Sequence, residues 1–358
     1  MSFRLLTPVA VFVVFASLFG ALPAHAQWEL TSGDTSIKFG FLVQGRAESL
    51  ETGDVTAENL FFRRLRLLAG GKLTDRLTFF FETDSPNLGK GEGPNGTKNA
   101  SDIFIQDFVL TYRFADDQFL DVGMILPALS HNANQSAISL LATDYGPYSF
   151  LTAGPLNTRV GRDYGVRARG YVLGDHLEYR AGVYQGLRGP GSSNSLRFAG
   201  RLVYNVFEAE KALFYGGTYL GAKKVLSFGA SLDHQEDYDT MGLDVYFDGP
   251  MSNGNSATFQ ANWMQHDGDS FLAALPEQDN LLVEAGYHFK AAKLMPFVQY
   301  AARDFDSPTG NDEDKVQVGL GWMLQGHGRN LKLSVARITP DLGPDSTEVW
   351  LNFQAFRF

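Results

Sequence analysis

From Ser36 to Phe358 the sequence keeps returning to one unit, a segment of about ten residues in which apolar and polar side chains alternate, bounded by Gly, Asp, Asn or Pro. A period of two marks a β-strand whose two faces meet different surroundings. About 16 such segments can be traced, as suits a bacterial barrel, at approximately 36–49, 59–70, 76–84, 103–114, 118–127, 163–173, 177–186, 196–207, 225–235, 240–248, 256–266, 280–289, 295–305, 315–325, 330–339 and 347–358. Their length is that of a tilted strand crossing a bilayer, and an even number lets both ends of a closed ring lie on one side of it. After residue 26 no stretch is apolar over the roughly 20 residues that a spanning helix needs. Two folds remain: a soluble sandwich, or an all-β transmembrane antiparallel barrel.

The connections favour the barrel, whose turns are short at one rim and longer at the other. Counting from the first segment, the even-numbered connections Ala69 to Arg76, Ala115 to Gln118, Gly174-Asp175-His176, Lys290 to Leu294 and Gln325 to Asn330 are short. Ser85 to Asp102 and Pro127 to Arg162, among the odd ones, are long. Glu208 to Lys224 is a misfit, long for a turn and with room for an unrecognised strand.

The hairpin from Phe61 to Asp84 shows what the faces carry. Leu65, Leu67 and Ala69 share one parity and Arg64 and Arg66 the other, while Leu77, Phe79 and Phe81 oppose Glu82 and Asp84. Arginine facing lipid at the midplane costs roughly 2–4 kcal/mol, so the arginine parity belongs inside. The same rule turns Lys38, Arg46, Arg167, Arg169, Arg180, Arg197 and Arg201 inward and Phe39, Phe41, Val166, Phe198 and Leu202 toward lipid. Asp107 and Glu178 share the basic wall; later segments bring Asp244, Asp248, Gln260, Asn262, Glu284, Gln317 and Lys332. A basic wall facing a more acidic one would set a transverse field, and rings of charge are how channels select ions. A closed network of salt bridges is the alternative. Arg63 has lipid parity, which puts it among the headgroups unless a bulge turns it inward.

A barrel of this size is wide enough for an aqueous channel, so closing it takes an inserted loop. Pro127 to Arg162 is the candidate, because Ala137 to Leu141 is apolar enough to fold into the lumen; a surface lid is the alternative.

The ends carry their own signals. Arg4, the apolar run Val9 to Leu22 and Ala24-His25-Ala26 read as a secretory signal, residues 1–26, cleaved before Gln27 and leaving one barrel domain over 27–358. Phe356 and Phe358 are the terminal aromatics on which outer-membrane barrels close and which the assembly machinery reads. Val349, Leu351 and Phe353 have the opposite parity, which calls for a bulge or a mixed face.

A net charge of -10 argues against a nucleic-acid partner, and the absence of cysteine excludes disulfides and thiolate metal sites. Ser130, His131 and Asn132 are the residues that invite a lipolytic enzyme, yet neighbours in sequence do not make a dyad. His234, His266 and His288 lack metal-ligand spacing, and no cofactor is implied. A non-conducting barrel serving as scaffold or adhesin is a further alternative, although no large passenger segment is present.

Phe62-Arg63-Arg64, followed by a strand ending Glu82-Thr83-Asp84, resembles the phosphate-selective porin O and P family. Asp121-Val122-Gly123, Arg162-Asp163-Tyr164-Gly165-Val166-Arg167 and Leu177-Glu178-Tyr179-Arg180 are similar to later strands of that family. The resemblance implies a homotrimeric outer-membrane channel of 16 strands, constricted by its third loop and surrounded by lipid and lipopolysaccharide. It passes small anions and hydrophilic solutes. The resemblance also implies an anion site to which Arg63, Arg64 and Asp84 contribute; the inward parity adds Arg46, Arg66, Arg167, Arg169 and Arg180 along the pore. The third loop here, SAISLLATDYG, carries no arginine where the phosphate-specific members place one, and no lysine-rich entrance arm is evident. General or modestly anion-selective diffusion is therefore the expectation, with phosphate as one candidate solute.

Overall fold

The computed structural model describes residues 28–91, 96–100, 103–189, 192 and 194–358; the signal segment lies outside them. The strands are β1 (Trp28–Ser32), β2 (Thr35–Thr52), β3 (Val55–Lys72), β4 (Leu77–Asp84), β5 (Phe104–Ala115), β6 (Gln118–Ile125), β7 (Asp163–Val172), β8 (Leu177–Tyr184) and β9 (Arg197–Asn205). They continue as β10 (Val225–Gln235), β11 (Tyr238–Pro250), β12 (Ser256–Asp267), β13 (Gln278–His288), β14 (Leu294–Phe305), β15 (Glu313–Trp322), β16 (Leu324–His327), β17 (Arg329–Pro340) and β18 (Ser346–Arg357).

From β2 to β15 each strand pairs antiparallel with the next. β15 then pairs with β17, β17 with β18, and β18 returns to β2, closing a 16-strand barrel. β1 folds back on β2 from Trp28↔Phe39 to Ser32↔Thr35, along the same edge that β18 occupies from Phe41 onward. β16 lies within the connection from β15 to β17. Every segment expected from alternation falls on one ring strand, and 206–224 contains none, so no strand was overlooked there.

The wall obeys its parity. Phe41, Leu67, Val122, Val166, Phe198, Leu202, Leu243, Val318 and Leu333 are exposed on the outer face. Arg46, Arg64, Arg66, Asp121, Arg167, Arg180, Arg201 and Asp244 are buried on the inner one. At the seam Arg46 Nε donates to Asn352 Oδ1 at 2.9 Å and Gln44 Nε2 to Gln354 Oε1 at 2.7 Å, so the closing strands are tied inside as well as along their backbones.

Two parity conflicts are resolved here. Gln44 pairs with Arg64 and Gly45 with Phe62, which leaves Arg63 as the extra residue of a bulge. The bulge breaks the alternation and turns its guanidinium inward. On β18 the register is unbroken, and Val349, Leu351 and Phe353 keep the outward parity. Phe356 points inward to Leu42, Leu68 and Ala137, and Phe358 meets Phe80 edge-on at 6.0 Å. Phe356 therefore packs inside the wall while Phe358 stays partly exposed, with no bulge on β18.

The lumen is filled from two sides. The third loop, 126–162, runs along the inner wall: His131 N donates to Asp244 at 3.2 Å, Asn132 N to Asn262 at 3.0 Å and Thr143 Oγ1 to Ser334 at 2.8 Å. Lys332 Nζ donates to the carbonyls of Leu140, Leu141 and Ala142. Ala137 to Leu141 does pack inside, with Leu141 beside Met295 and Phe297. The connection 206–224 folds in as well: Leu213 packs on Val109, Ile125, Tyr184 and Ala199, and Phe214 meets Phe80.

Candidate functional site

The site forms where the third loop meets the seam. Asp144, midway along that loop, is buried among three arginines of β2 and β3. Its Oδ2 accepts from Arg46 Nη2 at 2.8 Å and Arg63 Nε at 2.7 Å; its Oδ1 accepts from Arg64 Nη2 at 2.6 Å and from the Tyr145 N–H at 3.0 Å. Arg64 also donates to Gln44 at 2.8 Å, and the Arg46 guanidinium lies 4.2 Å from the centre of the Trp350 ring. Burial pushes the Asp144 carboxyl up, but Arg63, Arg64 and Arg46 together hold it well below the usual carboxylate range.

A depressed pKa fixes the sign of the acid response. The tether is fully present above the unfolded carboxylate value and is lost only as pH falls through the lower folded value. Emission from Trp350, read with Trp28, Trp263 and Trp322 replaced by Phe, is expected to stay flat from neutral pH down to about pH 4, where a free carboxylate is half protonated. A transition near that pH would show that the three arginines do not hold the loop.

Beside this cluster Arg66 binds Asp84 at 3.0 Å and Glu82 at 2.7 Å. Asp84, expected with Arg63 and Arg64 at the anion site, has as its ion-pair partner Arg66, two residues along β3 from Arg64. Other luminal arginines form ion pairs of their own around the wall. Arg167 and Arg169 share Asp121, each at 2.8 Å, Arg180 meets Glu178 at 2.6 Å, Arg162 meets Asp107 at 3.2 Å, and Arg197 meets Asp233 at 2.6 Å. Each of these pairs neutralises charge locally along the basic wall. The short sequence motifs thus encode luminal ion pairs. Gly123, at φ 136°, serves the wall differently, since an added Cβ would strike the Phe108 carbonyl.

The second inward segment meets the third loop face to face. Ser136 N donates to Tyr215 O and Tyr215 N to Asn134 O, both at 2.9 Å. His131 Nε2 lies 2.8 Å from Glu210 Oε2, with Gln135 at 3.0 Å on its other nitrogen. Its ring is stacked between Tyr215 at 4.9 Å and Tyr246 at 3.8 Å. Both ring nitrogens of His131 are engaged, and Ser130 Oγ accepts from Ala133 N, which is not the geometry of a lipolytic dyad. Among the described residues no three His, Asp or Glu side chains are grouped to hold a metal ion.

Sequence reading missed Asp144, Glu210 and Tyr215. Asp144 gave no periodic signal because it lies in a loop, and its role depends on strands some 80 to 98 positions away.

An antiparallel ring with an apolar exterior, a charged interior and a long loop folded inside defines the porin class of outer-membrane channels. More narrowly, the chain belongs to the phosphate-selective porin O and P family, whose model matches residues 44–265. No curated protein is a significant match. Among solved structures it is similar to Salmonella typhi OmpF in complex with daunomycin, with a TM-score of 0.62 at 14% identity over 91% of this chain and 100% of that one. An anion-selective porin from Comamonas acidovorans matches with a TM-score of 0.62 at 12% identity, over 90% and 100% of the two chains. Pseudomonas aeruginosa OpdK with vanillate matches with a TM-score of 0.53 at 11% identity, over 90% and 98%. At these identities the likeness is one of fold.

Proposed function

We propose that this outer-membrane channel carries small hydrophilic solutes and ions by passive diffusion and prefers anions, oxyanions such as phosphate among them. In this reading it is exported through residues 1–26, folded by the barrel-assembly machinery and active as a homotrimer without catalysis. The observation that carries the anion preference is the charge imbalance at the loop-seam cluster. Arg46, Arg63 and Arg64 all converge on the one carboxylate of Asp144, whereas Arg66 and Arg197 each have two acidic partners. Excess guanidinium at a constriction attracts anions and repels cations.

Arg64→Ala is expected to lower the anion-to-cation permeability ratio several-fold in a planar bilayer under a potassium chloride gradient. An unchanged reversal potential would overturn the assignment of the anion preference to this cluster. The filled lumen favours one rival, a barrel that does not conduct. Stepwise currents from the wild-type chain dispose of that rival, and their consistent absence from correctly folded protein sustains it.

A further inference from the structure

We infer that Asp144 is a tethered occupant of an oxyanion site, so that a small carboxylate or phosphate binds Arg46, Arg63 and Arg64 only by displacing the third loop's own carboxylate. The inference rests on the anion reading above and adds what governs access to the site.

The geometry around Asp144 is that of a complete anion-binding shell. Its two oxygens receive Arg46 Nη2, Arg63 Nε, Arg64 Nη2 and the Tyr145 N–H, and Arg63 Nη2 stands 3.5 Å from Oδ1. A carboxylate offers about four lone-pair sites, so the donors saturate it. One arginine would suffice to tether a loop. Three of them repel one another, and Asp144 compensates a single charge; Glu48, which also acts on Arg46, is paired with Lys90 at 2.7 Å. That arrangement favours a ligand with more negative charge than Asp144 supplies, which phosphate provides at neutral pH.

The cradle itself stands on the wall. Arg46 is held by Asn352 at 2.9 Å and stacked on Trp350, and Arg64 is held by Gln44 at 2.8 Å; these holding groups sit on β2 and β18, and both amides also donate to third-loop carbonyls, Asn352 to Thr143 and Gln44 to Ala137, each at 3.1 Å. Asp144, by contrast, belongs to a connection between strands, so its withdrawal would break no rung of the barrel ladder, only loop contacts such as Thr143 Oγ1 to Ser334 at 2.8 Å and Gln299 Nε2 to the Asp144 carbonyl at 3.5 Å. A second carboxylate and an incoming oxyanion compete for the same donors. The outcome is set by effective concentration, which favours the tethered group until external anion is plentiful.

The test uses the full mature chain in planar bilayers, with inorganic phosphate or acetate titrated into a chloride current. Asp144→Asn retains the size of the side chain and removes its charge. It is expected to raise the anion-to-cation permeability ratio several-fold and to bring saturable block by phosphate at lower concentration than in wild type. Parallel block by acetate assigns the site to carboxylates too, and block by phosphate alone assigns it to the more highly charged anion. If Asp144→Asn leaves both measurements at wild-type values while Arg64→Ala lowers the ratio, the inference is overturned and the channel reading survives. If neither variant moves the ratio, the anion reading falls with it. Retention of the heat-sensitive gel mobility of a folded barrel checks each variant, and Asp144→Ser is read in the same way if Asp144→Asn does not fold.

Discussion

Asp244→Ala is expected to destabilise the barrel by about 3–5 kcal/mol, the cost of leaving one member of a buried ion pair without its partner. Asp244 accepts from both terminal nitrogens of Arg201, Nη1 and Nη2, at 2.5 and 2.7 Å, and neither side chain is exposed. The same carboxylate accepts His131 N, so the substitution strands a guanidinium in the wall and frees the start of the third loop. Urea unfolding from detergent micelles should show a clearly lower midpoint. The exposed pair Arg337–Asp345, whose side chains are 56% and 38% exposed, supplies the contrast: Asp345→Ala should be near neutral. Equal effects from the two substitutions would mean that the luminal pairs are hydrated and that the lumen is more open than its burial indicates.

Excising residues 209–223 and closing the gap with Asn-Gly is expected to raise single-channel conductance several-fold. The cut is compatible with the wall because Val206 N donates to Leu226 O at 2.8 Å and Glu208 N to Lys224 O at 3.0 Å, so β9 and β10 already approach as a hairpin there. A two-residue type I′ turn closes such a hairpin. The excised segment brings Leu213, Phe214, Tyr215 and Glu210 into the lumen, and Arg180 Nη1 holds the Leu213 carbonyl at 2.9 Å. Water and ions would take that space. Conductance unchanged from wild type would show that the third loop alone limits flow.

The ring strands were legible because alternation is a local property. Leu65, Arg66 and Leu67 declare their faces through the cost of placing arginine in lipid, whatever the neighbouring strand may be. The inward loop was legible for a related reason, since the apolar run Ala137 to Leu141 needs cover that a surface loop does not provide. Arg63 was legible only as a conflict, because a bulge is decided by which residues of β2 and β3 pair. The connection 206–224 was legible as too long, without a hint of its direction: Tyr215 finds its place against Gln135 and His131, which are remote in sequence. Asp84 was set beside Arg64 by the family resemblance, and the register pairs it with Arg66.

By itself the sequence determined a closed barrel of alternating strands, which face meets lipid, and that arginines line the interior, because burial and charge act on each residue within its own strand. Only the tertiary structure decided which carboxylate each arginine holds, that 206–224 folds inward, and that Asp144 occupies the cradle of Arg46, Arg63 and Arg64. Ion pairs are short-ranged, and their partners are chosen by closing the ring, which brings β18 to β2 and a loop from beyond β6 to the seam between them.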